Sequence, residues 1–451
     1  MRTCIVGGTG NISTSIVRQL LARGDEVTCF NRGRSGHPPP GARVIQGDRW
    51  QREQFEAAMQ RERFDAAIDM LCFSAEDAAS SVRAFRGVRH FIQCSTVCTY
   101  GTALGALPVT EEHPLRPDTG YGRAKAAADA VFLEAHRREG FPATILKPST
   151  TFGPKMGLIR QLAWEFSWID RIRRGLPLLV CDDGSALQQF LHVDDAAHAF
   201  VEVLGQPRCV GQTYHLVSPE VVTWADYHRR AMNVLGRRVP LIGVALSELI
   251  AHKVPGIGLC QTVFAHHGHY SPEKLMREVP AFRPRLSLEE GMRQVIAELD
   301  ASGRIPAADS TGWEDQIIEA CQRQGRARLL DHEPGADSVS NSPHRKRAYS
   351  MSQSSKSNPK EAVAQLLARA ATDAGLRQSL QKDAKSVLEK EAGLTLPPDI
   401  TLQVLQETAT VRYLVIPPAQ AQTMQASAES KQGAADSNMV VGLGWKIIDP
   451  G

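Results

Sequence analysis

The stretch RTCIVGGTGNIS, residues Arg2–Ser13, decides the fold of the first part of the chain. Thr3–Val6 form an apolar run of strand length, and apolar side chains recur at helical spacing after Asn11, which predicts a strand, a turn and a helix. Glycines let the backbone approach a pyrophosphate, and free N–H groups at a helix start favour negative charge. A glycine cluster can also mark an ordinary turn, but its place between strand and helix predicts a dinucleotide-binding loop with contacts from Gly7, Gly10, Asn11 and Ile12.

The composition is that of a globular protein. The 451 residues suffice for about three domains, and 42% hydrophobic with 22% charged residues is ordinary for such a chain. A net charge of +3 argues against nucleic acid and anionic membranes as partners. The sequence has no apolar run of about eighteen residues and enters its first strand at once, which argues against a transmembrane helix and a signal peptide. The nine cysteines include no CxxC pair, so we expect reduced thiols, a cytoplasmic location and no metal site.

Strands and helices alternate in the first 150 residues. Apolar runs at Glu26–Phe30, Arg43–Ile45, Asp65–Met70 and His90–Cys94 read as strands, and an alanine-rich helix separates the last two. This alternation predicts an α/β fold of the Rossmann type, with a doubly wound parallel sheet.

The end of the second predicted strand bears on the choice of cofactor. An acidic residue there would bind the 2′-hydroxyl of an NAD ribose, but this chain has Asn31, Arg32, Gly33 and Arg34. Arg32 favours a 2′-phosphate, so we expect NADP rather than NAD, with a surface arginine on a loop as the alternative. Asp48, after the third strand, either meets the adenine amino group or caps the next helix.

A second group of residues has the pattern of proton-transfer chemistry. Tyr121 and Lys125 stand four apart in a predicted helix, so their side chains share one face. A lysine ammonium beside a tyrosine hydroxyl would lower the pKa of the tyrosine toward working pH, which makes Tyr121 a candidate general acid or base. Thr96, at a strand end, would hydrogen-bond the same reacting oxygen. A surface pair is the alternative for Tyr121 and Lys125.

Residues 1 to about 300 resemble the extended short-chain dehydrogenase/reductases of the NAD-dependent epimerase/dehydratase family. The resemblance rests on GGTGNIS, CSTVCTYG, YGRAK, LKPSTTFGP and DDGSALQQFLHVDDAAHAF, taken in this order. It implies an oxidoreductase, epimerase or dehydratase that binds NAD(P) and a small-molecule, often sugar-derived, substrate; a homodimer is also expected. It implies Thr96, Tyr121 and Lys125 as the catalytic set, with Lys125 reaching the nicotinamide ribose and Pro148 on the cofactor side.

The chain departs from the family pattern at four positions. Ser13 replaces the third glycine of the loop, and Lys147 and Phe152 stand where the family usually has Arg and Tyr. Gln188 occupies the place where the family usually has an arginine that binds the substrate diphosphate. The absence of that arginine disfavours a nucleotide sugar as the substrate. The FNRG and GDR segments are similar to a branch that includes chloroplast stem-loop-binding proteins, which gives RNA association as an alternative function.

The second part of the chain has a different organisation. We expect a Rossmann core at 1–155, a substrate lobe with return segments at 156–325 and a flexible, serine-rich linker at 326–357. Residues 358–418 resemble the nitrile-hydratase-like leader peptides of ribosomally made natural products, with helices and a hairpin of Ile400–Leu405 with residues 411–415. The resemblance implies peptide-modifying enzymes as partners and a disordered tail, 419–451, as a candidate core peptide. A precursor or carrier protein with the reductase-like part as scaffold is therefore another alternative.

Overall fold

The computed structural model describes residues 1–163, 165–310 and 312–330, individual residues between 376 and 390, and the strands 403–406 and 445–448. The chain divides into two compact units, Met1–Asp337 and Ser338–Gly451. The predicted core and substrate lobe therefore belong to one unit.

The strands of the first unit are β1 (Arg2–Val6), β2 (Glu26–Asn31), β3 (Arg43–Gln46), β4 (Ala66–Asp69), β5 (His90–Cys94), β6 (Ala143–Pro148), β7 (Thr150–Phe152), β8 (Leu178–Cys181), β9 (Leu187–Gln188), β10 (Phe190–His192), β11 (Thr213–Leu216), β12 (Val222–Thr223), β13 (Leu241–Val244) and β14 (Ala327–Leu329). The α-helices are α1 (Asn11–Ala22), α2 (Arg52–Gln60), α3 (Ala75–Ala84), α4 (Gly120–Glu139), α5 (Ser167–Arg174), α6 (Val193–Val203), α7 (Trp224–Leu235), α8 (Leu246–Ala251), α9 (Ile257–Leu259), α10 (Glu273–Glu278), α11 (Leu288–Ala301) and α12 (Trp313–Arg323). Short 3₁₀ turns span Val97–Tyr100, Pro207–Cys209 and Ala308–Ser310, and a π turn spans Cys260–Phe264.

The central sheet confirms the predicted doubly wound fold. Its seven parallel strands follow the order β11-β6-β5-β4-β1-β2-β3. Strand β1 lies between β2 and β4, with Val6 opposite Phe30 on one side and Asp69 on the other. The strand order reverses at β1, and ligands of open α/β sheets bind in the crevice that such a reversal leaves at the carboxyl ends.

Helices cover both faces of this sheet, because alternate residues of each strand point to opposite sides. Ile5 of β1 belongs to a core with Ile16 of α1 and Phe200 of α6. Val6, its neighbour, belongs to a core with Phe55 of α2 and Phe132 of α4. A strand buried on both faces reads as a continuous apolar run, which is why these strands could be predicted from the sequence.

The second half of this unit forms a smaller lobe beside the sheet. A three-stranded sheet, in the order β14-β13-β8, packs with α5, α7 and α11 around the buried side chains of Trp168, Trp224 and Tyr227. The segment between 156 and 325 also returns to the central sheet as β11. The lobe therefore forms a wall next to the carboxyl edge of the main sheet.

The second unit is described only in part. Residues 376, 378–379, 386–387 and 390 are helical, within the segment where helices are expected. Strand β15 (Gln403–Gln406) pairs antiparallel with β16 (Trp445–Ile448), so part of the segment expected to be disordered is a paired strand. The expected hairpin partner, residues 411–415, lies outside the described residues. In the described parts of both units, no helix combines the length and apolar character needed to cross a membrane.

Candidate active site

A cleft of about 490 Å³ opens at the carboxyl edge of the central sheet. Its walls come from the loops after β1, β2, β3, β4, β5 and β6 and from the start of α4. All of the residues predicted for cofactor binding and catalysis line it, namely Gly7, Gly10, Asn11, Ile12, Arg32, Asp48, Thr96, Tyr121, Lys125 and Pro148. Their convergence is the result of the strand order, since they lie up to 141 positions apart in the sequence.

The glycine loop places the N-terminus of α1, whose first N–H groups have no side-chain cap, at this cleft. Gly7 has φ +115°, a conformation that side-chain-bearing residues rarely adopt, and a Cβ on Gly8 would lie 2.6 Å from the Cys29 sulfur. Gly10 is the N-cap of α1, and no side chain caps its first N–H groups. Ser13 Oγ accepts a hydrogen bond from Gly10 N at 2.8 Å, which holds the loop where the third glycine is missing. The free N–H groups suit a pyrophosphate.

The end of β2 offers hydrogen-bond donors. Asn31 is buried; its Oδ1 accepts from Gly33 N at 3.0 Å, and its Nδ2 has no partner among the described residues. The Arg32 guanidinium lies 4.8 Å from the centre of the Trp50 ring. Asp48 Oδ1 accepts from Trp50 N at 3.0 Å, so Asp48 caps a turn while it also lines the cleft. An amide and a guanidinium at this place suit a phosphate better than a ribose hydroxyl.

The opposite end of the cleft holds the predicted catalytic set. Lys125 is 2% exposed, and its ammonium donates to the carbonyl oxygens of Cys72 at 2.8 Å and Cys94 at 2.7 Å. It also lies 4.3 Å from the centre of the Phe73 ring. Thr96 Oγ1 accepts from Cys98 N at 3.2 Å, which fixes the turn after β5. Because an ammonium has three donors, one N–H of Lys125 is left for a ligand.

The expected depression of the Tyr121 pKa is wrong for this structure. Desolvation of the hydroxyl raises the pKa of Tyr121 above its ordinary value, although the residue as a whole is 48% exposed. A hydrogen bond with the Thr96 side chain acts in the opposite direction but is the weaker effect. The Lys125 ammonium is turned toward two backbone carbonyls, so it does not offset the desolvation. The raised pKa favours the protonated phenol, which is the form of a proton donor.

A buried ionic network below the site was not predicted. The Lys147 ammonium donates to Asp129 Oδ2 at 2.5 Å and to Thr99 Oγ1 at 2.9 Å, and Ser95 Oγ donates to the same carboxylate oxygen at 2.7 Å. All four side chains are buried. The network connects β6 and α4 with the turn that carries Thr96. The signal in the sequence was a lysine inside an apolar strand, since a charge buried in a sheet requires a partner.

A second pocket of about 460 Å³ adjoins the cleft. It shares Thr96, Tyr121, Ser149, Thr151 and Met156 with the cleft, so Thr96 and Tyr121 stand between the two cavities, while Lys125 lines the cleft alone. Its far wall comes from the smaller lobe, mainly from residues 259–270. Tyr121 therefore lies where the two cavities meet.

The histidines and cysteines of the described part form no metal-binding group of three or more. Two adjacent histidines, His266 and His267, line the second pocket. His267 Nδ1 accepts from Leu187 N at 3.1 Å, and the His266 ring bonds with Gln261 O at 3.0 Å. These bonds hold the loop that forms the pocket wall.

Comparison with known proteins agrees with this architecture. The sequence model of the NAD dependent epimerase/dehydratase family matches residues 74–216. A 2′-dehydrokanamycin reductase of Streptomyces kanamyceticus is 32% identical over 238 residues, which are 52% of this chain and 67% of that protein. A chloroplast stem-loop binding protein of 41 kDa from Arabidopsis thaliana is 25% identical over 234 residues, 49% of this chain and 59% of that protein.

Solved structures show the same fold. The UDP-glucose 4-epimerase of Thermotoga maritima, solved with UDP-glucose, superposes with a TM-score of 0.55 at 18% identity and covers 67% of this chain and 99% of its own. The chain belongs to the NAD dependent epimerase/dehydratase family.

Proposed function

We propose that the chain is an NADP(H)-dependent oxidoreductase that reduces a carbonyl group, with Tyr121 as the proton donor. The observation that carries this proposal is the convergence of a glycine loop, a basic strand end and the Thr96–Tyr121–Lys125 group in one cleft. The name of the S. kanamyceticus relative describes a reductase, and the protonated state of Tyr121 suits the same direction.

The cleft fits a dinucleotide along its whole length. The uncapped start of α1, with Gly10, Asn11 and Ile12, would hold the pyrophosphate, and the unpartnered Asn31 amide with Arg32 would hold the 2′-phosphate. Lys125 would hold the nicotinamide ribose through its remaining N–H. When bound, such a cofactor supplies a hydride to the carbonyl carbon.

The side chains of this protein supply the proton and the orientation. Tyr121 donates its phenolic proton to the carbonyl oxygen, so that the carbonyl becomes an alcohol. Thr96 lies beside Tyr121 and holds the same oxygen by a hydrogen bond. The buried pair of Lys147 and Asp129 keeps the β5 end, and with it Thr96, in place.

A fluorescence titration tests the cofactor assignment. Trp50 lines the cleft next to Arg32, so we expect NADPH to quench tryptophan fluorescence of the full chain and to bind more tightly than NADH. Arg32→Ala should weaken NADPH about 10- to 100-fold through the loss of a charge-assisted hydrogen bond, with little effect on NADH. Arg61→Ala, which removes an exposed arginine outside the cleft, is the matched control.

Two results would count against the proposal. Absence of NADPH binding would favour a reductase-like scaffold, and equal affinity for both cofactors would remove the role of Arg32. If the protein does not bind NADPH but retains RNA in a salt-sensitive manner, RNA association would be favoured instead.

We also propose that residues 358–418 serve as a handle for peptide-modifying enzymes. The support is the sequence resemblance to leader peptides and the helical conformation at the described positions between 376 and 390. Intact-mass analysis of the protein from its native host should find a mass shift confined to residues 419–451. An unmodified tail in protein from the native host would contradict this second proposal.

A further inference from the structure

The pocket beside the cofactor cleft has an unusual charge composition. It is lined by twenty-three described residues, and neither lysine nor arginine occurs among them. Asp118 is the one carboxylate in this lining. The rest consists of hydroxyl, amide, imidazole and apolar groups, including Thr102, Gln188, Ile159 and Val263. A ligand with a diphosphate would therefore find no cation in this wall.

The neighbouring arginines are occupied elsewhere. Arg160 is buried and pairs with Glu314, from which it cannot turn without leaving that carboxylate unpaired. Arg123 donates from Nη1 to the backbone oxygen of Asp118 at 2.9 Å and does not line the pocket. Burying a diphosphate without such a partner is unfavourable, because two negative charges would lose water and gain no counter-charge.

Gln188 stands in the pocket wall as a structural group. It is buried and its Nε2 donates to His266 O at 3.0 Å. Gln189, the next residue, donates to Ser218 O and Tyr270 O and accepts from Tyr270 N. The two amides thus fix the 266–270 loop by hydrogen bonds to its backbone.

Asp118 has the geometry of an anionic binding group. Its Oδ2 accepts from Thr102 N at 2.9 Å and from Thr102 Oγ1 at 2.6 Å, which orients the carboxylate. Although partial burial acts against ionisation, these hydrogen bonds hold the pKa of Asp118 below its ordinary value. The residue is exposed, stands three positions before Tyr121 and lines the same pocket.

We infer that this pocket takes a non-phosphorylated carbonyl compound rich in hydroxyl groups and carrying an amine, with Asp118 as the partner of the ammonium. The inference rests on the proposed function, since it assigns the second ligand of the same site. The apolar residues contact the carbon skeleton, and the threonines and amides offer partners to the hydroxyl groups. Reduction converts the carbonyl to an alcohol, with the hydride from NADPH and the proton from Tyr121, and NADP⁺ is released.

Calorimetric titration of the full chain saturated with NADP⁺ tests this assignment. The probes are UDP-glucose and dTDP-glucose, which carry a diphosphate, and kanamycin, which carries amines and hydroxyl groups without phosphate. We expect kanamycin to bind and both nucleotide sugars to give no heat. Asp118→Asn keeps an oxygen for both Thr102 donors and should weaken kanamycin about five- to tenfold by removal of the charge.

Glu112→Gln is the control for non-specific attraction of a cationic ligand, since Glu112 lies exposed in the same loop but outside the pocket. It should leave kanamycin affinity unchanged. Binding of either nucleotide sugar, absence of kanamycin binding, or equal effects of the two substitutions would overturn the inference. All of these measurements use protein that has first been shown to bind NADP⁺. If the proposed function is wrong, the protein will fail at that first step, because it will not bind the cofactor.

Discussion

The buried pair of Lys147 and Asp129 gives a prediction that can be worked from the structure. Both side chains are nearly inaccessible to solvent, at 3% and 2% exposure. Asp129→Ala removes the acceptor of two donors, the Lys147 ammonium and the Ser95 hydroxyl. The ammonium then keeps the Thr99 hydroxyl as its hydrogen-bond partner and the Tyr100 ring, whose centre lies 5.6 Å away, as a weaker contact. Breaking a buried pair in this way costs about 3–5 kcal/mol of the free energy of unfolding, because one charge stays buried without compensation.

The measurement is a urea titration of the full chain followed by tryptophan fluorescence, since Trp168 and Trp224 are buried in the same unit. The double substitution Lys147→Met with Asp129→Leu removes both charges and should cost less than the single Asp129→Ala, because an apolar replacement of a buried pair is often nearly neutral. Glu134→Ala, on the same helix, removes an exposed carboxylate and serves as the control.

Comparison of the single and double variants shows whether the uncompensated charge or the lost packing determines the loss of stability. A loss below about 1 kcal/mol for Asp129→Ala would show that water or a rearranged hydroxyl compensates the ammonium. A double variant as unstable as the single one would show that packing, rather than charge, determines the cost. Either result would contradict the proposal that this buried ionic network holds the end of β5, and with it Thr96, in place.

Three further predictions follow from single positions. Tyr121→Phe should abolish turnover and leave NADPH affinity nearly unchanged in the same fluorescence titration, because only the proton donor is lost. Gly8→Ala should destabilise the protein and weaken NADPH, since its φ is +104° and the new Cβ would collide with the Cys29 sulfur. Burial lowers the pKa of His90 to about 4, so the unfolded chain binds the extra proton below about pH 6.5, and His90 should contribute up to about 3 kcal/mol to a loss of stability between pH 6.5 and 4. Burial also lowers the pKa values of His215 and His228 to about 3, so these residues add to the same slope. Urea midpoints between pH 4 and 8 check the slope, and His90→Asn should make it shallower without removing it.

The site residues that could be predicted from the sequence belong to short motifs, in which the identifying residues are close together along the chain. A strand, a turn and a helix follow one another within Arg2–Ala22, so the apolar period and the glycines suffice to identify the loop. Tyr121 and Lys125 are likewise placed together by one helix. The parallel order of the strands then brings these local motifs to one edge, which is why all the predicted residues line one cleft.

The interactions that the sequence did not reveal depend on distant partners. Lys125 donates to carbonyl oxygens 53 and 31 positions away, and nothing near position 125 indicates them. The direction of the Tyr121 pKa shift was therefore predicted incorrectly, since burial of the hydroxyl raises the pKa and the ammonium is turned toward backbone carbonyls. Arg160 and Glu314 pair across 154 positions, and a backbone carbonyl or a remote carboxylate leaves no pattern in the sequence around its partner.

Cationic side chains are distributed unevenly between the two cavities of the site. Arg32 and Arg34 line the cleft at its far end, while the pocket beyond Tyr121 has no cation in its described lining. If a nucleotide sugar were the second ligand, both cavities would need phosphate-binding groups. With phosphate recognition confined to one side, we expect the cofactor to bind with its reactive end toward Tyr121. A substrate without phosphate then gains its specificity from hydrogen bonds and from Asp118, so its affinity should depend less on salt than that of the cofactor.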